Sequence, residues 1–185
     1  MLEVRWAEAC GLMPFTPFHM GPALALKSIT GRHFSILMFG LAQVAMDIEP
    51  GVGMLRDADV LHGWSHTYLG ATVIAALVLA LGRPLCFLIL RRCNEELLHH
   101  RLGRLAEPDT FGWRPAAAGA FIGTYSHVAL DSIMHADMQP LAPFSSANHL
   151  LSVISIDALH IACVVAGIVG VGIWLLAGTL TRKNR

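Results

Sequence analysis

His127, Asp131 and His135 recur at intervals of four residues, the first two inside an apolar run from Ala116 to Met134. On a helix that spacing stacks side chains along one face. His62 and His66 repeat the interval if their segment is helical, and Asp47 closes another apolar run, Phe34 to Met46. Convergent imidazole and carboxylate donors suit a divalent transition ion such as zinc, manganese or iron, whereas hard cations favour oxygen alone. A single histidine in an apolar helix is more often a hydrogen-bonded packing residue than a ligand. For His127, Asp131, His135, Asp47 and His66 together, packing would have to account for five independent polar residues, and the metal reading is favoured. The remaining candidates read more plainly. His149 lies in a polar loop, and Asp57 and Asp59 are solvated charges. Trp64 and Trp113 suit membrane borders, and His33, His99 and His100 suit a solvated or headgroup face. Asp157 and His160 open the last helix, where Asp157 favours the helix N-terminus and both are candidates to support the site.

The elements that must position these residues follow from composition. The chain has 185 residues, 55% apolar and 14% charged, with no formal net charge and a mean hydropathy of +0.57. Such a chain is neither disordered nor a basic nucleic-acid module. Ile161 to Leu180 holds no charge and ends at the basic tail Thr181–Arg185. At ~1.5 Å per residue it crosses a ~30 Å hydrocarbon layer. Tyr68 to Leu90 is a second run, interrupted at Gly82-Arg83-Pro84. Ala116 to Met134 is a third, Phe34 to Met46 a short fourth and Pro17 to Ile29 a fifth; the two short runs suit a helical hairpin that does not fully cross. Gly167, Gly170 and Gly172 suit close helix packing in lipid. The expected architecture is all-α: one integral-membrane domain over 1–185, a multi-pass transmembrane helical bundle of about four to five segments with a last helix at about 157–180. Cys10, Cys86, Cys93 and Cys163 show no paired spacing, so neither a disulfide framework nor a zinc ribbon is expected. Met1 to Met13 lacks the pattern of a secretory signal.

Basic connections face the cytoplasm. The C-terminal tail, the segment Arg91 to Arg114, and Lys27 with Arg32 are basic, so they are expected inside the plasma (inner) membrane. Residues 47–67 and 135–157 then lie outside. With five crossings the N-terminus is outside; with a re-entrant first segment it is inside. The five-segment arrangement gives the inner side a net charge of +7 and the outer side −7. The outer side also receives His19, His62, His66, His127, His135, His149 and His160.

Asp47-Ile48-Glu49, Gly63-Trp64-Ser65-His66-Thr67, Ser126-His127-Val128-Ala129-Leu130-Asp131 and the proline-bearing stretch Gln139–Phe144 resemble the ordered motifs of the bacterial inner-membrane metal-dependent hydrolase family. The resemblance runs from about residue 14 to residue 144. It implies His19, Asp47, His66, His127 and Asp131 as metal ligands. The sequence departs from the family pattern at three places. Glu49 stands for a second Asp, Leu61 for the first His of the His-rich element with His62 one place later, and His135 and Asp137 for Thr-Pro.

The expected activity is metal-assisted hydrolysis of an ester or phosphoester at the outer membrane boundary, with membrane lipid around the protein and a lipid-like substrate. Glu49 is the candidate general base and His62 or His135 the candidate acid, since histidine titrates nearest neutrality. A metal- or proton-coupled transporter and a non-catalytic scaffold are the competing readings. The inner halves of the long runs are nearly all apolar and no inverted repeat is visible, which favours a one-sided site over a path.

Overall fold

The computed structural model describes residues 17–183, and helix is its only regular secondary structure. A 3-10 turn at Pro17–His19 leads into α1 (Met20–Thr30), and a second turn precedes α2 (Ile36–Met46). Then come α3 (Ile48–Leu55), α4 (Tyr68–His99), α5 (Trp113–Met134) and α6 (Ile156–Lys183). Expectations for Met1 to Met13, including Cys10 and the side on which the N-terminus lies, fall outside the described residues, as does the start of the family-like region before residue 17.

Among the described residues, three stretches are long and apolar enough to cross a membrane: Ile36–Leu55, Tyr68–His99 and Ile156–Ala177. The 22-residue α5 has the length but carries Ser, Thr, His and Asp on its buried side. It packs chiefly on α2 and α4, with Ile122 and Tyr125 left exposed. At 11 residues, α1 is too short for a hydrocarbon layer. Its main neighbour is α6 and that of α2 is α5, so the two short segments pack chiefly on other helices instead of on each other.

One expected boundary moves, and beyond another a further helix appears. Gly82-Arg83-Pro84 does not interrupt the second run, because α4 continues through Pro84 to His99. In lipid an unbroken helix keeps its other backbone groups paired, so one missing donor is tolerated. The fourth run does stop at Met46, but a new helix starts at Ile48. Pro50 has no N–H to offer the Met46 carbonyl, so the ladder breaks there. Asp47 lies at the break, with its side chain freed from the regular helix surface.

Close approach governs the pairing. A Cβ on Gly21 would overlap the Cys163 carbonyl, and one on Gly170 would sit 2.5 Å from the Ala25 nitrogen. α1 and α6 therefore run side by side in the same direction, nearly backbone to backbone. α2 and α5 are also parallel, from Ser35 N–H donating to Pro115 O at 3.2 Å up to Gln43 beside His127. α4 runs against both, with Cys86 meeting Met38 and Ala71 meeting Met46. Thus the starts of α1, α4 and α6 meet the ends of α2 and α5 at one end of the bundle. The basic segments gather at the other end, where Lys27 pairs with Glu107 at 3.2 Å. Leucines, isoleucines and valines along α4 and α6 stay exposed, as lipid-facing residues do.

Gly21→Val should force α1 away from α6, with an overpacking cost of ~1–3 kcal/mol. Thermal unfolding of detergent-purified protein should show a lowered midpoint for Gly21→Val and Gly170→Val. Gly172→Val should leave it unchanged, since nothing lies within 4 Å of that position.

Candidate metal centre

Five polar residues close one end of the bundle, delivered by four local devices. Met20 begins α1, and His19 sits at its N-cap. Asp47 occupies the proline-induced break between α2 and α3. His66 ends a 3-10 turn, Trp64–His66, whose Thr67 caps α4 by accepting from Gly70 N–H at 2.9 Å. His127 and Asp131 share one face of α5 at i and i+4.

Asp131 is the point of convergence. Its Oδ2 lies 3.0 Å from His127 Nε2 and 3.4 Å from His66 Nε2, and its Oδ1 lies 3.6 Å from His19 Nε2. Asp47 Oδ1 stands 3.3 Å from His127 Nε2. His19, His66, His127 and Asp131 are all buried. Two overlapping groups result, His19/His127/Asp131 and Asp47/His66/His127, with donor atoms within 4.8 Å of one another. The structure brings together all five residues that the family resemblance implies as ligands.

The protons on two of these histidines can be assigned from their other neighbours. His127 Nδ1 is 2.5 Å from Gln43 Oε1. The amide orientation is fixed because Gln43 Nε2 donates to Gly123 O at 2.9 Å. An amide oxygen only accepts, so Nδ1 carries the hydrogen. His66 is held by a relay: Glu49 Oε2 accepts from Ser65 N–H at 2.7 Å and from the Ser65 hydroxyl. With its one hydrogen committed to the carboxylate, Ser65 Oγ must accept from His66 Nδ1, 2.8 Å away. In their neutral forms both rings therefore turn a bare Nε2 lone pair toward Asp131.

These nitrogens supply the test of whether a cation suits the site. His19 Nε2, His66 Nε2 and His127 Nε2 are buried and have no hydrogen-bond partner among the described residues. Lone pairs facing carboxylate oxygens repel one another unless positive charge lies among them, and orphaned buried polar atoms are costly. A divalent ion answers both requirements at once, and a hydrogen-bond acceptor on Nδ1–H is the usual companion of a ligating histidine. Burial also pushes the His66 imidazole below the ordinary histidine range, against the opposing pull of Asp131. That favours the neutral, ligating form.

The other candidates sort differently. Glu49 engages Ser65 rather than the cluster, so it positions His66 and does not stand ready as a general base. His62 and His66 approach through a loop and a 3-10 turn, not along a helix, with ring centroids 4.9 Å apart. His135 leaves the α5 face altogether: the helix ends at Met134, and His135 has an extended backbone. Its ring stacks on His62 at 4.2 Å, half-buried at the rim. His160 stacks on Phe18 at 4.5 Å, one residue from His19, while Asp157, His149, Asp57 and Asp59 are exposed. Sequence reasoning missed Gln43, Ser65 and the part taken by Asp137. Of these, Gln43 had a visible signal, a lone amide in an apolar helix four residues before Asp47. Asp137 accepts from the His62 and Leu61 backbone N–H groups, both at 3.1 Å, and from His62 Nδ1 at 2.9 Å. Burial opposes its ionisation, but these contacts outweigh burial and hold its carboxyl below the ordinary range.

A family model described as YdjM inner membrane protein matches residues 20–184. The chain belongs to the YdjM inner membrane protein family. Membership and the long apolar helices agree on a bacterial inner-membrane location. No curated protein and no solved structure gives a significant match. In this member of the YdjM family, His/Asp groups able to hold a metal ion lie at one end of the helical bundle.

Gln43→Leu removes the acceptor that orients His127 while keeping an apolar helix. Metal affinity, measured by competition with a chromophoric chelator, should fall by about 10–100-fold. An unchanged affinity would show that Gln43 does not orient a ligand.

Proposed function

We propose that the protein is a membrane-embedded, metal-dependent hydrolase acting on an ester or phosphoester of a lipid-like substrate at the outer face of the inner membrane. The observation that carries this reading is the set of three buried, unpartnered Nε2 atoms of His19, His66 and His127 directed at Asp131. His19, Asp47, His66, His127 and Asp131 would hold a divalent ion, which supplies Lewis-acid activation of the scissile group and of water at neutral pH.

The chain's own residues divide the remaining work. Gln43 and the Glu49–Ser65 pair fix the two imidazole orientations. His135 stands half-buried at the rim, where it can pass a proton to a leaving group. A cavity of about 390 Å³ adjoins His62 and Asp137 and reaches Trp64, in the 3-10 turn, and Leu69, at the start of α4, both exposed. A substrate with an apolar tail could lie there with its polar end toward the histidines. The outward placement rests on the basic segments gathering at the opposite end of the bundle.

One feature favours hydrolysis over transport. Beneath the cluster the buried layer is apolar apart from Thr124, and is formed by Met38, Ala42, Ala75, Val78, Cys86, Ala116 and Ala120. An ion or proton path through the bundle would need polar groups there.

The test uses detergent-purified and liposome-reconstituted protein with fluorogenic carboxylic esters, phosphodiesters and phospholipids. Turnover should disappear on chelation and return with zinc, manganese or iron. His127→Ala and Asp131→Asn should lower it by more than about 100-fold together with metal content. Retention of turnover and metal in both variants would overturn the site assignment. Metal-dependent flux across the liposome without hydrolysis would establish a carrier instead.

A further inference from the structure

Resting on the hydrolase reading above, a second ion can be argued from a histidine that the implied ligand set leaves out. His62 is buried, and Asp137 Oδ1 lies 2.9 Å from its Nδ1. The carboxylate, which also accepts from the Leu61 and His62 backbone N–H groups, can only accept from the ring, so Nδ1 carries the hydrogen. The neutral ring then keeps a lone pair on Nε2, the tautomer already assigned to His66 and His127. A carboxylate on Nδ1 is also the commonest support of a ligating imidazole. His62, His66 and Asp131 form a group of their own, with one donor atom from each within 4.8 Å of the others.

Charge points the same way. Asp47, Glu49, Asp131 and Asp137 line this end of the bundle, and no Lys or Arg pairs with any of them among the described residues. Asp131 has one oxygen toward His19 and the other toward His66 and His127, so it reaches histidines of both groups. The remaining group, His62/His135/Asp137, is a poorer choice. Its two rings stack at 25°, so their lone pairs lie in nearly parallel sheets, and His62 Nδ1 is already committed to Asp137.

We propose that the site holds two divalent ions, one bound by His19, His127 and Asp47 and the other by His62 and His66, with Asp131 shared between them. His62 is then a ligand rather than the acid of the reaction, and Asp137 is its positioning residue. Paired ions suit displacement at a phosphoester, where one stabilises the attacking and the other the leaving oxygen.

The experiment counts ions. Full-length protein in detergent is stripped with chelator, loaded with manganese, desalted, and measured by elemental analysis and electron paramagnetic resonance. Wild type should carry two ions per chain and show the exchange-coupled spectrum of a manganese pair. His62→Ala should carry one ion and show the six-line spectrum of isolated manganese. Asp137→Asn, a milder change, should weaken only the second ion, by about 10–100-fold. A single ion in wild type, or two coupled ions in His62→Ala, would overturn the two-ion arrangement and leave the hydrolase reading standing. No bound ion in wild type would remove both.

Discussion

A buried carboxylate surrounded by imidazole nitrogens is the constraint around which this protein is built. Asp131 lies near the end of a helix packed on two others, where solvation of a charge is poor and leaving it unpaired costs several kcal/mol. The nearest groups, Nε2 of His19, His66 and His127, have no hydrogen-bond partner among the described residues. Each half of the arrangement is unfavourable alone. The cost is offset only when positive charge sits among them, and Gln43, Ser65 and Glu49 hold the His127 and His66 rings with Nε2 toward that point.

The helices serve this convergence through small residues and interruptions. Glycines in α1 and α6 let those helices pack almost backbone to backbone, and this seats His19 against the end of α5. Gly119 and Gly123 on α5 admit α2 in the same way, since a Cβ on Gly123 would lie 2.8 Å from Ala42 Cβ. That closeness brings Gln43 within reach of His127. Pro50 then breaks the α2 ladder at the level where Asp47 must turn toward the site. Local sequence, helix packing and ligand geometry thus agree on a single end of the bundle.

Much of this was legible before any coordinates. The i, i+4 pair His127 and Asp131 is visible because helical periodicity is rigid. The charge asymmetry is visible because short basic and acidic connections alternate along the chain, and in the fold the basic segments gather opposite the histidines. The long runs of α4 and α6 were plain from hydropathy. What escaped depended on where helices end and on contacts between distant segments. His135 continues the interval of four, yet the helix stops at Met134 and the chain turns extended. Glu49 has the right chemistry for a base, but only the fold shows that Ser65 occupies it. Asp137 meets His62 across 75 residues, a pairing that no local pattern reveals. Pro84 looked like an interruption because its local cost is real; the membrane-length helix around it outweighs that cost.

X-ray absorption at the metal edge of zinc-loaded wild-type protein tests the central claim most directly. Nitrogen and oxygen donors at ~2.0–2.2 Å, with the outer-shell scattering of several imidazoles, are predicted for an ion among His19, His66, His127 and Asp131. A sulfur shell at ~2.3 Å, or oxygen donors without imidazole scattering, would contradict it.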